Sequence, residues 1–463
     1  MRGRIRRKPL AIFSTLLFCA SAMGTHATTI TVSNTHDSGP GSLRQALMIA
    51  HDSDTINFAV TGTITLTSGG LPVNKSLTIS GPGKDQLSID GNQAIVVFGI
   101  FPSNIATISD LTIRNGQTGI WNEHGRLTVS NCAVSGNSQA GLFNNEGPSA
   151  LTVSNCVVSG NSLGIYNYYG DASVSNCIVS SNQYGGVFDY GVSGGPNDHV
   201  SGFASLTIAN SIINGNSGPG VDNNAGFVTI IGTTISGNSV RKTGGQSGVG
   251  GGVYTYRQGG KIPGNLTIMN STISSNFASS YGGGIACGDS GLGIINSTIS
   301  GNSAGAYGGG IVGGSFDIVI VNSTVSGNSA ATCCGVCGGG VEIGNTILNA
   351  NVSGNIDGTV TSHGYNISSD DGGGHLNGPG DQINTDPLLG PLRDHGGPTL
   401  THMPRRGSPA IDAGDPSFTP PPDHDQRGEC FDRVFGPRID VGSVETQLRP
   451  RCVTPAPRPT PSM

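Results

Sequence analysis

Along most of this chain, apolar and polar residues alternate over a few positions, an Asn follows, and a Gly-rich turn separates one run from the next. "SNCVVSGN", "ANSIINGN", "MNSTISSN", "INSTISGN" and "VNSTVSGN" are versions of one phrase. A period of two is the signature of a strand with one buried face, and Gly and Asn punctuate turns. The Asn that closes the phrase recurs at Asn115, Asn137, Asn161, Asn182, Asn216, Asn238, Asn276, Asn302 and Asn328, at intervals of 22, 24, 21, 34, 22, 38, 26 and 26 residues. Each interval holds about three short strands. A unit of this size buries its apolar face only by stacking on its neighbours, so it reads as one coil of a parallel β-helix.

Stacked coils lie about 4.8 Å apart, close enough for equivalent amide side chains to bond along a column. The first Asn of each phrase (Asn131, Asn155, Asn176, Asn210, Asn270, Asn296 and Asn322) is the expected ladder. The second, followed by Ser, is expected at a turn with left-handed backbone. Cys132, Cys156 and Cys177 occupy a position where later phrases carry Ser211, Ser271, Ser297 and Ser323, which predicts a buried column of small side chains.

The strand after each Gly-rich tail reads "GIWNEHG", "GLFNNEG", "GIYNYYG", "GVFDYG", "GVDNNAG" and "GVYTYRQ". Alternation sends its first apolar residue inward and the next outward. The outward column is therefore Trp121, Phe143, Tyr166, Phe188, Asp222 and Tyr254, joined two positions on by Tyr168, Tyr190 and Tyr256. An exposed aromatic stripe rimmed by amides and acids suits sugar rings and equally suits a partner protein. Aromatic preference for strands accounts for it without any ligand.

One amphipathic helix stands out. Ser42 and Gln45 form an S-x-x-Q capping box, with Leu43, Ala46, Leu47 and Ala50 on one face. Placed before the strand array, it is expected to cover the open end of the core. The preceding 27 residues carry a basic start, an apolar stretch and small residues suited to cleavage, as in a secretory signal peptide. This predicts an exported chain, secreted or at the cell surface, with no membrane span after cleavage. Removing the leader's five basic residues leaves 18 Lys and Arg against 29 Asp and Glu, and none of those cations lies between Leu127 and Val240 or between Ile262 and Leu392. A nucleic-acid partner needs a basic stripe, so none is expected. Uronate lyase chemistry, which needs cations at the substrate carboxylates, is disfavoured for the same reason.

Nine cysteines remain after export, in a compartment that tolerates disulfides. "TCCGVC" from Thr332 to Cys337 reads as a disulfide turn ahead of a metal site, because no second CxxC or paired His follows at suitable spacing. Cys430 and Cys452 bracket the C-terminal module and are candidates to pair. No cofactor is called for. Asp412, Asp415, Asp423, Asp425 and Asp440 have the oxygen chemistry for Ca²⁺, but turn formation is the expected role.

The two longest units, 34 and 38 residues, flank a short coil that carries Asp222. Long insertions around one coil make cleft walls. Asp189, Asp198, His199, Asp222, Arg257 and Lys261 are expected to converge there. Paired carboxylates on neighbouring strands supply the acid and the base or nucleophile of glycoside hydrolysis.

"SGPGSLRQAL" with "DTINF" resembles the opening of exported bacterial β-helix proteins, and "ISGNSAGAYGGGI" resembles the repeats of polymorphic outer-membrane proteins. "DPLLGPLRDHGGPTLTHMPRRGSPAIDAGDP", "DQRG" and "RIDVGSVE", between Asp386 and Glu445, resemble the choice-of-anchor Q domain proteins. The resemblance implies a secreted all-β chain forming a single-stranded right-handed parallel β-helix, and implies no defined reaction. The expected layout is a leader (1–27), an N-terminal cap with helix (28–53), about a dozen coils (54–370), a β-rich C-terminal capping module (371–445) and a Pro-rich extended tail (446–463). The expected function is binding of a polysaccharide or surface protein by a monomeric, adhesin-like chain through the aromatic face. A polysaccharide-active enzyme using Asp189 and Asp222 is the alternative, and a structural spacer the third.

Overall fold

The computed structural model describes residues 27–447, other than 94, 148, 192–204, 243–247, 258–263, 315–316 and 334. Asp198, His199, Lys261, Cys452 and nearly all of the leader and of the tail lie outside the described residues.

Each coil carries two longer strands and a short one. In one coil these are Thr118–Glu123, Arg126–Ser130 and Ala133–Ser135; in the next, Ala140–Asn145, Ala150–Ser154 and Val157–Ser159. The strand pairings between coils are parallel and through the repeats keep one register, so that Val129 lies over Val153 and Val153 over Val174; the register shifts where Val336–Gly344 pairs with Ile356–Gly364. The short strands stack into a sheet of 13 and the longer ones into a sheet of 24. The larger sheet wraps two faces because Val336–Gly344 and Ile356–Gly364 run across both near the C-terminal end. The fold is an all-β, right-handed parallel β-solenoid of about 13 turns, as the repeats predict. Inward Val, Ile and Leu form one continuous core from Val32 to Leu376. Each fully buried aliphatic side chain contributes about 1.5–3 kcal/mol, and in a solenoid that burial exists only while the neighbouring coil is in place.

The helix forms at Leu43–Ile49, with Ser42 capping it and Leu43, Ala46 and Leu47 buried against the first coils. Gln45 completes the cap by accepting from Gly41 N at 2.7 Å. Among the described residues no helix is long and apolar enough to cross a membrane.

Asn115 keeps the positive φ expected of it; from Asn131 onward the two Asn positions exchange the roles expected of them. Asn131, Asn155, Asn176, Asn210, Asn270, Asn296 and Asn322 all adopt positive φ, and Asn131, Asn155, Asn176 and Asn210 are exposed. One amide bond joins that row, from Asn345 Nδ2 to Asn322 Oδ1 at 2.8 Å, where the C-terminal module covers it. The second Asn makes the ladder. Asn137, Asn161, Asn182, Asn216, Asn238, Asn276, Asn302, Asn328 and Asn351 are buried. Each donates from Nδ2 to the next Oδ1, at 2.8 Å for Asn137 to Asn161 and 3.0 Å for Asn302 to Asn328. The same Oδ1 also accepts the backbone N–H of the preceding Asn. The Gly-rich tails belong to this ladder: a Cβ on Gly164 would sit 2.3 Å from Gly186 O and 2.9 Å from Asn182 Nδ2.

The Cys/Ser column is buried as expected, and it is also a ladder. Cys132 N donates to Cys156 Sγ at 3.4 Å and Cys177 N to Ser211 Oγ at 3.1 Å. Cys132, Cys156 and Cys177 remain free thiols. Cys333 and Cys337 are disulfide-bonded, and Cys430 is also in a disulfide.

The C-terminal module has two parts. Residues 371–386 continue past the last coil and close the core, with Leu376 packed into it. The rest folds back along the flank, where Thr272, Ser300 and Asn345 bond to Leu400 O, His402 and Asp440 O. The expectation of a β-rich module fails. Its described residues form turns, a 3-10 helix at Gly372–Gly374 and isolated bridges such as Arg393–Thr401, because the many Gly, Pro and Asp residues break strands. Its acids serve these turns: Asp425 pairs with buried Arg427 at 2.7 Å, and Asp440 accepts from Asp412 N and Thr446 N.

Candidate functional site

The aromatic stripe forms on the outer side of one face, as alternation predicts. Trp121 lies over Phe143, Phe143 over Tyr166, Tyr166 over Phe188, Phe188 over Asp222 and Asp222 over Tyr254. All six are half-buried. The second column runs Glu123, Asn145, Tyr168, Tyr190, Asn224 and Tyr256. The rings use part of their surface on one another. Phe143 and Tyr166 stack at 4.8 Å between centroids, and Tyr254 and Tyr256 at 4.4 Å. Trp121 meets Phe143 edge-on at 4.4 Å, and its other neighbour in the column is Gly99, where an added Cβ would meet nothing within 4 Å. Trp121 therefore keeps an open side at the start of the stripe.

A polar cluster borders that end. Glu123 accepts hydrogen bonds from Trp121 Nε1 and from Asn145 Nδ2. His124 stands between Glu123 and Glu146, at 3.7 and 3.4 Å. Glu123, His124 and Glu146 are not among the site residues expected from the sequence, although alternation places Glu123 beside Trp121 on the outer face.

The proposed meeting of Asp189 with Asp222 is not what the structure shows. Asp189 is 1% exposed and points into the core. It continues an inner amide row in which Asn122, Asn144 and Asn167 each donate to the next side chain, the last bond being Asn167 Nδ2 to Asp189 Oδ1 at 2.6 Å. The alternation that places Phe188 outside also places Asp189 inside. Asp189 Oδ2 has no protein partner among the described residues, and burial pushes this carboxyl up to about 7. Asp222 lies on the opposite side of the same wall, in the aromatic column. Burial among the rings pushes it, too, up to about 7. Tyr166, Tyr254 and Tyr256 are held above the usual phenol value by burial first and by the Asp222 charge among the further causes.

Among the described residues, Asp222 is thus the one carboxylate of the predicted set placed on the stripe. The Glu123 row lies four coils away, about 19 Å at ~4.8 Å per coil, too far for two carboxyls to act on one glycosidic bond. Arg257 follows Tyr256 at the stripe's far end and is half-buried. Among the described residues no group of three His, Cys, Asp or Glu side chains is placed to hold a metal ion.

Residues 93–273, which contain the whole stripe, match the protein family described as "Right handed beta helix region". Among solved structures, the chain is similar to the A-module of the Azotobacter vinelandii mannuronan C-5 epimerase AlgE6, at 18% identity and a TM-score of 0.50, covering 76% of this chain and 97% of that one. It is also similar to the pectate lyase Pel9A (15% identity, TM-score 0.42, covering 91% and 96%). A further similarity is to the catalytic unit of a GH87 α-1,3-glucanase from Streptomyces thermodiastaticus (14%, 0.36, covering 73% and 68%). At these identities the likeness is one of fold. No curated protein matches the chain in sequence.

Proposed function

We propose that this is an exported, monomeric β-solenoid that binds glycan chains along the outer face from Trp121 to Tyr256. The observation that carries this reading is the in-register column of half-exposed rings, with an open side at Trp121 and polar groups at its margin. Sugar rings present C–H faces that pack on aromatics, while their hydroxyls bond to amides and carboxylates. A solenoid repeats such contacts every ~4.8 Å, which suits a polymer better than a compact ligand.

A catalytic reading ranks second. It rests on Asp222, whose carboxyl at about 7 suits proton transfer near neutral pH. It ranks second because Asp189, the intended partner, faces the core. A glycan array with the protein lacking residues 1–27 tests the first choice. Extended polysaccharides should be retained, with little loss in added salt, because stacking and neutral hydrogen bonds are weakly screened. Retention of no glycan, or complete release in moderate salt, would count against it.

A further inference from the structure

The aromatic column has one interruption. Phe188 and Tyr254 stand on coils two apart, and the residue between them is the short side chain Asp222. Two coil spacings separate the ring rows by roughly 10 Å, room for one pyranose between two aromatic walls with a carboxyl at the floor. Elsewhere the column is closed by ring-on-ring contact: Trp121 on Phe143, Phe143 on Tyr166 and Tyr166 on Phe188. The inward neighbours of the notch, Val221 and Asn223, are buried and fixed in register, so the floor is rigid. The carboxylates of the stripe are Asp222 in the column and Glu123 and Glu146 at its start; Arg257 lies past Tyr256 at the far end, and burial alone, with no cation, sets the state of the Asp222 carboxyl.

We propose that Phe188, Asp222 and Tyr254 form a subsite for one uncharged sugar ring of an extended glycan, and that Asp222 is the specificity-determining residue that excludes uronates. The proposal rests on the glycan-binding reading and narrows it to neutral polysaccharides. A neutral sugar enters the slot with its faces toward Phe188 and Tyr254 and its hydroxyls on the Asp222 oxygens. A uronate brings a second carboxylate to a carboxylate that no described cation offsets, and like charges so placed oppose binding strongly.

The test is calorimetric titration of the full exported chain with neutral oligosaccharides (cello-, xylo- and chito-oligomers) and with oligouronates, at mildly alkaline pH where Asp222 is ionised. Two variants accompany it. Asp222→Asn keeps the floor but removes the charge. Asp222→Phe fills the notch with the residue that the preceding coil carries at this position, Phe188. Wild type should prefer the neutral oligomers by at least about tenfold. Asp222→Asn should keep neutral binding and gain oligouronate binding, and Asp222→Phe should lose neutral binding while remaining folded. Equal affinity of wild type for both classes, or unchanged neutral binding in Asp222→Phe, overturns the subsite and leaves the broader reading standing. Binding of neither class by wild type overturns both.

Discussion

At the residue scale, the two Asn of each phrase differ only in where the backbone places them. Asn302 is fully buried; its Oδ1 accepts from both the backbone and the side chain of Asn276, and its Nδ2 donates to Asn328 and to Ile273 O at 2.9 Å. Asn302→Leu should therefore cost on the order of 3 kcal/mol, because it strands buried polar groups on the neighbouring coil. Asn155, exposed at φ +54°, needs only a left-handed backbone. Asn155→Gly should be nearly neutral and Asn155→Ala should cost about 1 kcal/mol. Urea denaturation of the three variants checks the assignment, and the reverse order of costs would restore the expected ladder. The sequence could not separate the two Asn, since both recur with the same period and both suit either role.

Asp189 gives a pH prediction at the same scale. Its folded-state pKa of about 7 lies above the ordinary carboxyl value, so the folded chain holds a proton that the unfolded chain has lost. Stability from this group is thus greatest at acid pH and declines as pH rises toward about 7, by up to ~1.4 kcal/mol per unit. Asp189→Asn supplies the amide that Asn122, Asn144 and Asn167 supply in their rows. It should stabilise the protein on the order of 4 kcal/mol above pH ~8 and little below pH ~4, with a shallower fall in melting temperature between them. A pH profile parallel to wild type would show that Asp189 titrates normally.

At the element scale, the coils were legible because every unit carries its own strand alternation and turn residues. The stripe was legible for the same reason, since Trp121 and Tyr254 needed only the in–out rule. The fold-back of the C-terminal module was not. It depends on side chains more than a hundred residues apart, and no period marks them. Gln426 is the clearest case: its Oε1 accepts from Thr298 Oγ1 at 2.6 Å, and its Nε2 donates to Thr272 Oγ1 at 2.8 Å and to Ser271 O at 3.2 Å. Gln426→Leu should loosen the module from the flank by about 2–3 kcal/mol. Hydrogen exchange would then speed up at Gly442 and Ser443 while the Val129 and Val153 amides stay protected. Uniform protection across both regions would show that Gln426 does not fasten the module.

At the scale of the whole molecule, a rigid column of coils, closed at its start by Leu43–Ile49 and at its end by the segment around Leu376, holds one outer face in fixed register. The stripe's function rests on its rings meeting a ligand rather than only each other. The direct measurement is the binding isotherm of a retained polysaccharide for wild type and for the variant Trp121→Ser/Tyr166→Ser/Tyr254→Ser. Each lost ring pair costs about 0.5–1.5 kcal/mol, so the variant should melt lower yet keep its β-rich circular dichroism, and its binding should disappear. A folded variant that binds as wild type does would contradict the account and leave the stripe as packing between coils.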